Sequence, residues 1–272
     1  MLQYFKRYSI YVSAIAIALP VIVSTVWPLV TGQMMAASLS GLAMLFVLFI
    51  GGLILGYAIF GKRADAETQA YLDAYNDDCD PQRLVDEGAK LAQAIQFPCD
   101  QSGSWFMGYY AQALLDLGRK EEALNIQTGI KNSMDAAKNA AMKVGILANL
   151  LPLVEKSEGT QAALQLIDEG MALCDQLKDG GAQIRDYLAS QKKILDVEAS
   201  GTPEEIAKLC ASIADSDKYP MRIRVEYAWR EGSAQYKDGD EAGEKKSLQF
   251  VVAHGGKLAL VDKAKARLDS LN

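Results

Sequence analysis

Hydrophobic and polar positions follow two regimes along this chain. From Ser9 to Phe60 there is not one Asp, Glu, Lys or Arg, whereas beyond Phe60 apolar residues recur every three to four positions between Gly- and Pro-containing turns. The first regime holds two uncharged runs, SIYVSAIAIALPVIVSTVWPLV (Ser9 to Val30) and SLSGLAMLFVLFIGGLILGYAIF (Ser38 to Phe60). Each matches the roughly 20 residues a helix needs to cross a hydrocarbon core, so the pattern predicts a two-span transmembrane hairpin over residues 1–63. The second regime has helical period and no competing period-two run. Residues 64–272 therefore read as an all-α domain, about 210 residues being enough for a sizeable core or a short repeat array.

Lys6 and Arg7 precede the first run, Lys62 and Arg63 follow the second, and the connecting TGQMMAA is uncharged. Basic flanks stay on the cytoplasmic side. The expected location is thus the plasma membrane, multi-pass, with both termini cytoplasmic and the bilayer itself as a partner. A cleaved signal peptide is the rival, suggested by small residues around Ala37, but the apolar region of a signal peptide runs only about 7 to 15 residues, whereas this run is longer and has a second span immediately behind it. Pro20 and Pro28 kink or end the first run. Gly52 and Gly56 form a GxxxG, and Gly32, Ala36 and Ser40 a small-residue series. Either these let helices pack closely, within the hairpin or between copies as a homo-oligomer through the transmembrane helices, or they are the ordinary glycine content of membrane helices.

The remainder reads as paired helices. One spans about Ala64 to Asp78, and Asp80-Pro81 opens the next, to about Gln96, as N-cap and first helical residue. From Ser104 the stretch SWFMGYYAQALLDLGRKEEALNIQTGI folds as two amphipathic helices joined at Leu117-Gly118-Arg119, where Gly118 supplies a left-handed turn residue and Glu121 and Glu122 suit a helix N-terminus. Second helices open near Arg119, Thr160, Pro203 and Asp240, spaced 41, 43 and 37 residues apart. Thr202-Pro203-Glu204-Glu205 is the cleanest start, with the elements of a capping box. After Gly255-Gly256, Leu258, Val261, Ala264, Leu268 and Leu271 share one face, as a capping helix or a membrane-surface helix would.

Tyr110 and Ala111, Leu114 a turn on, Gly118 at the turn and Ala123 in the next helix resemble a tetratricopeptide repeat. The resemblance extends over roughly Asp65 to His254 and departs at Gln127, Ile130 and Glu244. It implies a TPR-like α-solenoid of about five helical pairs with a C-terminal capping helix. It also implies a concave groove lined by first helices that exposes Trp105, Gln112 and Asp116 to a bound peptide; the competing reading puts Trp105 in the core.

All 34 acidic residues lie beyond Phe60, with every basic residue of the 28 except Lys6 and Arg7, so that part carries a formal net charge of −8. Such a balance repels nucleic acid at long range. Cys79, Cys99, Cys174 and Cys210 show no CxxC or metal-ligand spacing, and His254 is the single histidine. No cofactor or metal is implied. Asp77, Asp78 and Asp80 lack calcium-loop spacing and are accounted for by capping. Nucleotide-loop, nucleophile-elbow and zinc-protease motifs are absent, so no enzyme is expected. In YPMRIRVEYAWREG, Arg222, Arg224 and Arg230 either clamp an acidic peptide or pair within the helix through Glu226. The sequence thus predicts a non-enzymatic, membrane-anchored scaffold for a protein partner. The alternative is an accessory subunit of a transporter or secretion complex, acting through the hairpin.

Overall fold

The computed structural model describes residues 9–31, 39–177 and 181–271, with side chains over 11–26, 44–56, 66–177 and 181–271. Every regular element among the described residues is an α-helix. Packing divides the chain into Met1–Ala70 and Tyr71–Asn272.

In the first unit, α1 (Ser9–Thr31) and the leading part of α2 (Leu39–Asn76) lie antiparallel. A Cβ on Gly52 would meet the Ala16 Cα at 2.9 Å, and one on Gly56 would meet the Val12 Cα at 3.2 Å. These two glycines therefore set a close approach inside one chain, burying Val12 and Ala16 while Ile17, Val21, Phe46, Val47 and Ile54 stay exposed.

The membrane-spanning expectation is corrected. Among the described residues no helix is long and apolar enough to cross a membrane. The second run does not close as a separate helix either: α2 continues through Lys62, Arg63, Asp65 and Glu67 to Asn76, absorbing the separate helix expected from Ala64. With the spans go the bilayer as partner, the multi-pass plasma-membrane location, oligomerisation through transmembrane helices and the accessory-subunit reading. Lys6, Arg7 and the series Gly32, Ala36 lie outside the described residues.

In the second unit, the end of α2 and α3 (Pro81–Ala94) form the first helix pair. Then come α4 (Gln101–Asp116) with α5 (Lys120–Asp135), α6 (Ala140–Glu158) with α7 (Thr160–Cys174), α8 (Ala182–Ser200) with α9 (Pro203–Ala214), and α10 (Met221–Asp238) with α11 (Glu241–His254); α12 (Ala259–Ser270) closes the chain. From α3 onward consecutive helices pack on one another, and α4 with α6 and α6 with α8 pack as first helices of successive pairs, a solenoid-like arrangement. Local chemistry sets the starts. Asp80 accepts from the Arg83 N–H, Asp240 from the Gly243 N–H, and Thr202 and Glu205 complete a capping box that contributes about 1 kcal/mol. Gly118 and Gly239 take the left-handed conformation, φ +74° and +80°, that ends α4 and α10.

The polar residues that break the repeat pattern are held by specific partners. Buried Gln127 bonds Glu158 and accepts from Ser157 Oγ at 2.8 Å. Buried Glu244 accepts from Arg267 Nε at 2.6 Å and Nη2 at 3.0 Å, and Arg267 lies over the Tyr236 ring, so an ion pair seats α12 on the last pair. Ile130 is fully buried where a small residue was expected.

A simple solenoid keeps its ends apart, each repeat touching only its neighbours. Here the ends meet. The Lys257 N–H donates to the Cys79 carbonyl at 3.0 Å, Lys257 Nζ lies 2.5 Å from Asp80 Oδ2, and Arg222 Nε reaches Asn76 Oδ1 at 3.3 Å. Gly256, at φ +53°, passes so close that a Cβ would sit 2.6 Å from the Asp78 carbonyl oxygen. The first helices consequently surround a partly open cavity.

Candidate functional site

The first helices of all five pairs converge on a cavity of about 390 Å³, within the range of small-molecule and side-chain pockets. Asn76 comes from α2, Trp105, Tyr109 and Gln112 from α4, and Ala148, Pro152, Glu155 and Lys156 from α6. Tyr187 and Gln191 come from α8, and Arg222, Glu226, Tyr227 and Arg230 from α10, with Tyr219 just before it. Gly108 lets α4 approach α6 closely enough that a Cβ would meet the Asn149 carbonyl at 3.0 Å. Asn149 Nδ2 fixes that approach by donating to the Gln101 carbonyl and to Ser104 Oγ. Trp105, 38% exposed, meets Tyr109 edge-on at 5.7 Å, and Tyr187 and Tyr219 are similarly exposed, so aromatic faces border the open side of the cavity.

Charge lines the opposite side. Lys156 Nζ lies 2.6 Å from Asp116 Oδ1, and Asp116 Oδ2 accepts from the Tyr75 hydroxyl at 2.6 Å. Arg222 is buried under Tyr75, 4.6 Å from its ring centre, and reaches Glu226 at 3.4 Å. Arg230 reaches three carboxylates: Glu198 through both oxygens at 2.8 and 2.9 Å, Glu226 at 3.3 Å and Glu155 at 2.7 Å. Burial would push the Glu226 carboxyl up, but Lys156, Arg230 and Arg222 outweigh it and bring it down to about 2. Burial raises the Glu155 carboxyl, and Arg230 offsets only part of that. Burial likewise pushes the Tyr187 hydroxyl up to about 12, with Tyr109 and Glu155 adding to the shift. Burial alone would lower Arg222, and Tyr75, Glu226 and Asp116 reverse it, so this guanidinium stays charged.

Of the residues singled out in the sequence, Trp105, Gln112, Arg222 and Arg230 share this cavity. Asp116 lies just behind it, paired with Lys156. Arg224 is elsewhere: its Nε donates to the Ala214 carbonyl at 2.8 Å and Nη1 meets Asp217 at 3.1 Å, tying α10 to the turn before it. Glu226 pairs with both Arg222 and Arg230 as the four-residue spacing allows. Sequence reasoning missed Glu155, Lys156, Tyr187 and Glu226 as cavity residues. Pro152, inside α6, was the available signal, because a helical proline away from the first turn marks an interrupted hydrogen-bond ladder. The four cysteines are buried and free. Among the described residues no group of His, Cys, Asp and Glu is placed to hold a metal.

No known protein family, curated protein or solved structure matches the chain. The family expectation of a membrane-anchored tetratricopeptide-repeat protein is corrected accordingly to an all-α chain with solenoid-like helix packing.

Proposed function

We propose that this chain is a non-enzymatic helical-repeat scaffold that receives a segment of a partner protein in its central cavity. The observation that carries the reading is convergence: five first helices, one from each pair, contribute side chains to a single cavity bordered by Trp105, Tyr109, Tyr187 and Tyr219. Large aromatic side chains beside a partly open pocket with a few polar groups are frequent binding anchors of protein recognition. A catalytic reading has less to rest on, because the ionisable groups here neutralise one another instead of activating a nucleophile.

Ala148 lines the cavity with a small side chain, so Ala148→Phe fills the space. The test is photo-crosslinking in the native cellular background, with benzoylphenylalanine replacing Tyr187 in the cavity or exposed Tyr236 outside it. A discrete adduct formed from position 187, absent from 236 and lost in Ala148→Phe, supports the reading. Equal labelling from both positions, or an adduct indifferent to Ala148→Phe, overturns it.

A further inference from the structure

The charged groups that line the cavity are spent on one another. Glu226 faces Arg222 and Arg230, Glu155 lies 2.7 Å from Arg230 Nη2, and Lys156 is held by Asp116 behind the wall. What the lining leaves without a partner is of another kind. Trp105, Tyr109, Tyr187, Tyr219 and Tyr227 all line the cavity, and among the described residues neither the indole N–H nor any of these four hydroxyls makes a hydrogen bond. Tyr75 and Tyr110, which do not line it, are by contrast satisfied, the first by Asp116 and the second by the Val85 carbonyl. Burial pushes the Tyr187 hydroxyl up to about 12 and raises that of Tyr227 as well, so both keep the proton they can donate. Trp105 and Tyr109 meet at 81°, so ring faces are presented in two directions. The cavity therefore offers aromatic faces with unused donors at their edges.

We infer that the cavity takes a proline-rich segment of the partner protein, its pyrrolidine rings against these aromatic faces and its carbonyls receiving hydrogen bonds from the donors at the ring edges. The inference rests on the scaffold reading above and specifies the chemistry of the partner. Proline brings an acceptor and an apolar ring without an N–H, so it meets the unused donors and needs none of the carboxylates that the cations already hold. Such segments are stiff in the polyproline II form before they bind, which limits the ordering entropy lost, and they dock on aromatic-lined surfaces. Charge complementarity points the same way. The lining carries three cations and two carboxylates, which disfavours a lysine-bearing segment, while Asp116 and Glu198 neutralise the excess that would draw an acidic one.

The experiment follows the Trp105 indole N–H resonance of the full chain during titration with N-acetyl-tetraproline amide, N-acetyl-tetraalanine amide, which keeps the carbonyls and lacks the rings, and N-acetyl-tetraglutamate amide. Tetraproline should shift the resonance saturably and bind about tenfold or more tightly than tetraalanine. Tyr187→Phe, which keeps the ring and removes the hydroxyl, should weaken tetraproline binding roughly two- to tenfold. Tyr236→Phe, outside the cavity, should leave it unchanged, and Ala148→Phe should abolish it. Circular dichroism of each variant confirms retained helicity. If tetraalanine binds as tightly as tetraproline, or Tyr187→Phe binds tetraproline as the parent does, the proline inference fails while the cavity stands as a binding site. Preferential binding of tetraglutamate overturns it in favour of an acidic segment. If no probe moves Trp105, the inference falls, and the crosslink from position 187 decides the scaffold reading by itself.

Discussion

Two glutamates line one cavity, and their removal should have opposite consequences. Glu226 lies among Lys156, Arg230 and Arg222, which bring its carboxyl down to about 2, against about 4.3 in an unfolded chain. At about 1.4 kcal/mol per pH unit, that difference corresponds to roughly 3 kcal/mol of stability at neutral pH, the scale expected for breaking a buried ion pair. Glu226→Gln should cost this much in urea unfolding followed by far-UV circular dichroism, with an unchanged denaturant slope. A carboxyl depressed in the folded state stabilises above its unfolded value and loses that contribution as pH falls toward its folded value. The gap between parent and Glu226→Gln should therefore be full at pH 7 and close between about pH 5 and pH 2. For Glu155, burial shifts the carboxyl upward, so its charge opposes folding, and Glu155→Gln should leave neutral-pH stability unchanged or slightly raised. A Glu226→Gln cost below about 1 kcal/mol, or one independent of pH, would refute the charge geometry of the cavity.

Other consequences follow from the packing. Glu244→Ala leaves Arg267 without its carboxylate partner and should destabilise the docking of α12, with hydrogen exchange of residues 259–270 accelerating more than that of α4. Gly129→Ala places a Cβ 2.4 Å from Phe97 Cδ2 and should destabilise by about 1 to 3 kcal/mol in the same unfolding assay. Burial pushes the Cys79 thiol up to about 11 and the Cys210 thiol up to about 12, so neither should react with a thiol reagent at pH 8 until the chain unfolds.

Local rules explain which parts of this architecture were readable from residues alone. Asp80-Pro81, Thr202-Pro203 with Glu205, and Gly118 act within one turn of helix, and the structure shows the cap or left-handed residue each implies. Pairing of Arg222 and Arg230 with Glu226 was legible for the same reason, since four residues separate them along one helix. Closure of the array was not, because Lys257 reaches Asp80 and Arg222 reaches Asn76 across intervals of 177 and 146 residues that no periodicity encodes. Nor was the role of Glu244, which looks wrong for a helix-pair contact until Arg267 arrives from α12. The unbroken helix from Leu39 to Asn76 escaped because a change of composition at Lys62 and Arg63 signals a change of environment, whereas helix propensity carries straight through it.

Closure of the helix pairs upon themselves underlies the cavity and its charge network, and a zero-length crosslink tests it most directly. Carbodiimide joins an amine to a carboxylate only at salt-bridge distance, and Lys257 Nζ lies 2.5 Å from Asp80 Oδ2. Treatment of the dilute full chain, digestion and mass spectrometry should recover an intramolecular Asp80–Lys257 peptide alongside the control Asp168–Lys192, which is likewise at 2.5 Å within α7 and α8. Recovery of the control without Asp80–Lys257 would mean that the two ends of the array stand apart, and would contradict the account.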